Sequence, residues 1–216
     1  VGDPIKGKSE AGRRREERAR RTRERIVDAA RTLFLEDGYV PTTMEAIARS
    51  AGVAPATVYQ AFGTKLAILA RVLDVTIAGD AAPVGLLERD WVERARVEPD
   101  GRRRLTIVVE GAAKVAARTA AIKEVLRDAA ATDAGAAELL RQDTARRHAT
   151  QKVLIDLVLD ALAPRPKRAR DQAVATFFAL VNSDTYRLLV GDLGWSTPKW
   201  TRWLVVMLER ELLGTG

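Results

Sequence analysis

Apolar residues recur at helical spacing from near Arg25 onward. Ile26, Ala30, Leu33 and Phe34 fall at i, i+4, i+7 and i+8, which gives one apolar face, and Gly38 supplies a stop. Thr42-Thr43-Met44-Glu45 has the form of a capping box, in which the Thr42 hydroxyl and the Glu45 carboxylate take up early amides. Met44, Ile47, Ala48 and Ala51 then mark a short helix to about Ser50. Gly52 suits a tight turn because it takes a positive φ without a Cβ clash. Pro55 fits the first position of a third helix, which runs through Thr57, Val58 and Tyr59 to about Phe62. Leu66, Leu69, Ala70, Leu73 and Ile77 predict a fourth from near Thr64.

The later pattern stays helical. A segment bracketed by Gly79–Pro83 and Pro99-Asp100-Gly101 reads as loop with one or two helical turns. Leu105, Val108, Val109, Ala112 and Val115 predict a helix from about Arg102 to Ala120, and Ile122 to Ala130 a short one. Ala134 to Leu162 reads as one long helix ended by Pro164 and Pro166. Val174, Phe177, Phe178, Val181 and Leu188 lie on another, and a last one follows Thr197-Pro198. No strand pair emerges, so the expected fold is all-α, about nine helices in total. The expected domains are a disordered basic arm over 1–22, a helix-turn-helix head over 23–70 and a helical body over 71–216.

Charge and composition narrow the function. Residues 1–25 hold ten bases against five acids, so +5 of the total +7 sits in that arm. A basic arm beside a nearly neutral body points to a polyanionic partner, nucleic acid or an anionic membrane surface. Cysteine is absent and there is one histidine, which removes disulfides, thiolate zinc sites and multi-histidine metal sites. No cofactor and no metal are expected. No apolar stretch approaches the ~20 residues of a membrane helix, no secretory leader is visible, and a cytoplasmic location is expected.

Helix, short glycine turn, helix suits DNA-binding geometry. The order Arg25-Ile-Val-Asp-Ala-Ala-Arg-Thr-Leu-Phe34, Gly38-Tyr39, Thr42-Thr43, Ile47-Ala48, Ala51-Gly52-Val53, Thr57-Val58-Tyr59, Phe62 and Lys65 closely resembles the tetracycline-repressor (TetR) family over about residues 23–70. Ala54 departs from that family's frequent Ser or Thr at the helix cap. The resemblance implies a homodimer that binds an approximately palindromic duplex and encloses a small-molecule effector. It also implies that Tyr59 and Lys65, and the cap region at Thr42 and Thr43, hold phosphates.

Residue chemistry supplies further candidates. The third helix carries no charge from Ala54 to Thr64. Gln60 can pair with adenine, and Ala56 or the Thr57 methyl can meet a thymine methyl. Arg21 and Arg25, with Arg14, Arg15 and Arg18, are candidates for phosphate contact or a minor-groove reach. Phe177, Phe178, Leu188, Leu189, Trp200, Trp203 and Met207 make the last two helices the expected dimer surface. Candidate effector contacts are Glu110, His148, Gln151 and Asn182, with Trp91, Phe178 and Tyr186 as aromatic walls. No HExxH, Walker loop, GxSxG or Asp-rich box is present, so an enzyme is not expected. The competing reading is a membrane-surface or interaction protein with a basic arm and helical body, but the arm lacks the apolar anchors of an interfacial helix.

Overall fold

The computed structural model describes residues 10–80, 85–162 and 166–213. Among them are ten α-helices and no strand, and the chain divides into two compact units, one to Val72 and one from Leu73. No helix among the described residues is long and apolar enough to cross a membrane.

The first unit holds α1 (Glu10–Glu36), α2 (Met44–Ala51), α3 (Pro55–Phe62) and the start of α4 (Lys65–Ala78). Its core is Ile26, Ala30, Phe34, Ile47, Ala48, Val58, Ile68 and Leu69, all fully buried. The Phe34 ring packs 5.7 Å from that of Tyr39, closing the turn after α1. Helix α1 begins fifteen residues before the expected start, so residues 10–22 are helical and not the irregular arm that composition suggested; residues 1–9 lie outside the described ones. The stretch is rich in Arg, Glu and Ala, and Arg14–Glu10 (2.5 Å), Arg21–Glu17 (2.5 Å) and Arg20–Glu24 (3.0 Å) pair at i, i+4. Each such exposed pair supports a helix by about 0.3–0.5 kcal/mol, and together with propensity they outweigh the missing apolar face.

In the second unit a 3₁₀ turn (Leu86–Glu88) precedes α5 (Asp90–Val97), followed by α6 (Gly101–Ala130) and α7 (Ala134–Leu159). Two helices were expected over residues 102–130. One forms, because nothing between Ala120 and Ile122 interrupts it: the Thr119 hydroxyl donates back to the Val115 carbonyl (2.8 Å) and the chain continues through alanines. Asp100 and Asp133 cap α6 and α7, accepting from Arg103 N (2.8 Å) and Ala136 N (3.0 Å). Helix α7 ends at Leu159, three residues short of the expected end; Pro164 lies outside the described residues.

The long helix expected through Leu188 is instead divided into α8 (Lys167–Leu180) and α9 (Ser183–Tyr186), the latter running into a π-helical turn (Arg187–Asp192). Asn182 causes the break. Its backbone is extended, and its side-chain oxygen accepts from the amides of Asp184 and Thr185, both at 2.8 Å, which starts a new helix. Helix α10 (Thr197–Leu213) closes the bundle. Leu105, Val108, Val109, Leu154, Ile155, Val158, Phe177, Trp200, Leu204 and Leu208 form its core.

Candidate nucleic-acid interface

The corner between α2 and α3 is built as a helix-turn-helix. Gly52 takes the left-handed conformation (φ 64°, ψ 41°), and its amide and that of Val53 close the end of α2 onto Arg49 and Ala48 carbonyls. Pro55 opens α3, and Ala54 provides no side-chain cap. The cap of α2 is Thr43, not Thr42. The Thr43 hydroxyl accepts from Ala46 N at 3.1 Å, one residue out of register with the expected box. Thr42 is only 2% exposed and its hydroxyl donates to Gly38 O (2.7 Å), so it closes the preceding turn and presents nothing to a phosphate.

On α3, Val58 is buried while Ala56, Tyr59 and Gln60, at i, i+3 and i+4, share an exposed face beside half-buried Thr57. Tyr59 is 47% exposed, and its hydroxyl donates to Glu45 Oε1 at 3.1 Å, joining the first turn of α2 to the face of α3. Glu45 is held below the ordinary carboxylate range, first by a bond from its own backbone amide and next by the Tyr59 hydroxyl. That bond in turn raises the Tyr59 phenol above its ordinary value.

Lys65 departs most from expectation. Its ammonium donates to the carbonyls of Tyr39 (2.6 Å), Val40 (3.1 Å) and Thr42 (2.7 Å) and sits 4.3 Å from the centre of the Tyr39 ring. An ammonium has three hydrogens, and three carbonyls take them. Lys65 therefore ties α4 to the turn ahead of α2 and does not extend a cation into solvent.

Along α1, Arg14, Arg18, Arg21 and Arg25 recur at 4, 3 and 4 residues and lie on one side of the helix, all exposed. They form a ridge ~16 Å long at 1.5 Å per residue.

The candidate effector residues do not form one site. Gln151 is buried, its amide donating to Val181 O at 2.7 Å. Asn182 is the α9 cap, and Tyr186 bonds Thr197 (2.9 Å) and packs edge-on to Trp200. His148 is exposed, 5.1 Å from the ring of Phe178, whose face is covered by the Arg147 guanidinium. These five serve the packing around the α8–α9 break and the start of α10. Trp91 and Glu110 lie apart from them. With Glu88, Arg89, Asp90, Arg94, Ile107, Gly111, Lys114 and Arg118 they line an open cleft of about 420 Å³ between α5 and α6. In the sequence each of the four cations there reads singly as a solvated surface position. The exception to find was Gly111, a glycine inside a helix with no turn to explain it. A Cβ there would stand 2.3 Å from the Trp91 ring, so the indole lies directly against the α6 backbone.

Two of the expected dimer residues are also spent: Phe177 and Trp200 are fully buried within the chain. Leu188 (50%), Leu193 (61%) and Val206 (44%) remain exposed. A buried ion pair, Lys123–Asp143 at 2.8 Å, joins α6 to α7, and nothing in the pattern singled it out. Among the described residues no group of metal-ligating side chains is assembled.

The fold and this corner define a helix-turn-helix protein with a helical body. Residues 26–72, which make up most of the head, match the model of the bacterial regulatory proteins of the tetR family. TtgW, an uncharacterized HTH-type transcriptional regulator of Pseudomonas putida, is 40% identical over 76 residues, 34% of this chain and 57% of that protein. SrpR, an HTH-type transcriptional regulator of Pseudomonas putida, is also 40% identical over 76 residues, 34% of this chain and 36% of that protein. The matched stretch thus spans about half the length of these relatives or less. Solved structures extend the likeness of fold to most of the chain. The regulator FadR of Bacillus subtilis, in complex with stearoyl-CoA, has a TM-score of 0.67 at 17% identity, over 89% of this chain and 99% of that one. A TetR transcription regulator from Haloarcula marismortui has a TM-score of 0.63 at 16% identity, over 91% and 98%.

Proposed function

We propose that the chain is a sequence-specific DNA-binding transcriptional regulator, a repressor released from its operator by a small molecule. The observation that carries this is the corner at Gly52, which leaves the uncharged face Ala56–Tyr59–Gln60 exposed on a helix of the right length for a major groove. Gln60 reads adenine and the methyls of Ala56 and Thr57 meet thymine. Because α3 contributes no charge, the arginine ridge of α1, with Arg21 and Arg25 nearest the core, supplies the phosphate attraction. Tyr59 and the Thr43 end of α2 add neutral phosphate contacts. Lys65 acts through the loop that it ties, not on the duplex.

A homodimer places two heads on an approximately palindromic site, and the exposed Leu188, Leu193 and Val206 are the apolar surface available to the partner. That a structural neighbour was solved with stearoyl-CoA supports an effector for this chain too. In this reading the protein is cytoplasmic, has no catalytic residue and needs no cofactor or metal. Selection of bound duplex from random sequence tests it, with sedimentation of the selected complex. A dyad-symmetric site bound by two chains, which changes at one position per half when Gln60→Ala is used, is expected. Recovery of no preferred sequence, or of a site without a dyad bound by one chain, refutes the proposal. A membrane-surface function predicts instead co-sedimentation with anionic vesicles.

A further inference from the structure

The cleft beside Trp91 is floored by an aromatic ring and rimmed by charge. Trp91 lies on α6 where Gly111 has no side chain, and Ile107 continues the apolar surface one turn back. Of the four cations, Arg89 is held bidentately by Asp80 (2.7 and 2.9 Å). Arg94 and Lys114 make no ion pair among the described residues. Arg118 meets neutral partners: its Nε donates to Thr76 O at 2.7 Å and a terminal nitrogen donates to Ile77 O. Burial, then the nearby positive Arg89, push the Arg118 guanidinium below its ordinary pKa, so an added negative charge relieves it. The lining holds four cations against three carboxylates, Glu88, Asp90 and Glu110. With Arg89 answered by Asp80, which lies outside the lining, the other three cations and the three carboxylates balance, and none of those carboxylates forms an ion pair with Arg94, Lys114 or Arg118 among the described residues.

The carbonyls that Arg118 holds are among the last of α4, orphans that any helix end must satisfy. Gly79 follows in a left-handed conformation (φ 92°), and a Cβ there would stand 3.2 Å from the guanidinium carbon. One side chain thus caps the helix that leads out of the head and also lines the cleft.

Resting on the regulatory reading above, we propose that this cleft binds an aromatic carboxylate. The ring stacks on Trp91, the carboxylate pairs with Lys114 and Arg118, and Arg118 is drawn off the end of α4. The volume, about 420 Å³, falls within the ~300–1,000 Å³ of small-molecule sites. A planar ring suits an indole floor better than a flexible chain, because stacking uses the whole face. A carboxylate matches the guanidinium fork in geometry as well as charge.

Calorimetric titration of the full chain with 2-naphthoate, 2-naphthamide and 2-naphthylmethylamine tests the site. Binding of the naphthoate is expected, with the amide and the amine each weaker by about tenfold or more, the worth of a charge-assisted bond. Lys114→Gln, on an exposed helix position, is expected to weaken naphthoate by roughly fivefold and leave the amide unchanged. Amide exchange then follows α4: naphthoate is expected to speed exchange at residues 77–79, where Gly79 N now bonds Val75 O. Equal binding of acid and amide, no binding of the acid, or an unchanged response in Lys114→Gln overturns the site, and unchanged or slower exchange overturns the role of Arg118. These titrations need no DNA. A chain that binds naphthoate but prefers no duplex sequence refutes the regulatory reading, whereas one that selects a duplex but ignores naphthoate refutes this inference alone.

Discussion

Lys65→Met separates two roles that share one residue. The substitution keeps most of the apolar stem and removes the ammonium, so the loss is confined to what the charge does. Three carbonyls lose a charged donor. Val40 is exposed and water replaces its partner, but the bonds to Tyr39 O and Thr42 O are part-buried, and each is worth about 1.5 kcal/mol at the low end for a charged donor. The ring contact with Tyr39 adds about 0.5–1 kcal/mol. Allowing for water that returns to the site, the turn between α1 and α2 loosens by about 2–3 kcal/mol, or ~30- to 150-fold in local opening. Hydrogen exchange over residues 33–45 reads that change directly. A residue acting on a phosphate behaves differently: its removal lowers the slope of log K against log salt by ~0.9 and leaves exchange in the free protein alone. Fast exchange with an unchanged slope is expected. Unchanged exchange with a slope lower by about one contact would show that the ammonium leaves its carbonyls for the duplex, and the clasp argument would be wrong.

Two other substitutions probe the packing and the corner. Asp143→Ala strands the buried Lys123 and is expected to cost about 3–5 kcal/mol in urea unfolding of the body, whereas Lys123→Met with Asp143→Leu is expected to fall near wild type; a single variant within 1 kcal/mol of wild type, roughly, would mean that water reaches the pair. Tyr59→Phe removes one of the bonds that depress Glu45, so the Glu45 titration followed by carboxyl NMR is expected to move upward toward the ordinary range. The sign follows from linkage: a depressed carboxylate adds stability above its unfolded pKa that disappears as pH falls through its folded one, so this link between α2 and α3 is present at neutral pH and lost in acid. An unmoved Glu45 midpoint would mean that the two groups do not interact in solution.

The head was legible because its signals are local. A glycine that must take positive φ, a proline at the first helical position and apolar spacing all act within a few residues, and Gly52, Pro55 and Val58 stand where that logic puts them. Even there the register of the cap slipped by one: Thr42 and Thr43 are chemically alike, and only the fold reveals that the first reaches back to Gly38. The start of α1 was missed for a related reason. Apolar periodicity marks where a helix packs, whereas residues 10–22 are helical through exposed i, i+4 pairs of Arg and Glu. The body was legible as helices but not as a site. Polar residues set in apolar faces suggest ligand contacts, yet the Gln151 amide nitrogen and the Asn182 amide are spent on backbone freed where α8 ends. A helix end buried in a bundle needs such partners as much as a ligand does, and the two demands select the same residue types. What tells them apart is whether a partner is already in hand. Asn182 is fully engaged and Lys65 has no hydrogen to spare, whereas Lys114 and Arg94 border a cleft and make no ion pair among the described residues. An unanswered charge beside an aromatic floor is the stronger mark of a binding site, and it becomes visible only when α5 and α6 are brought together.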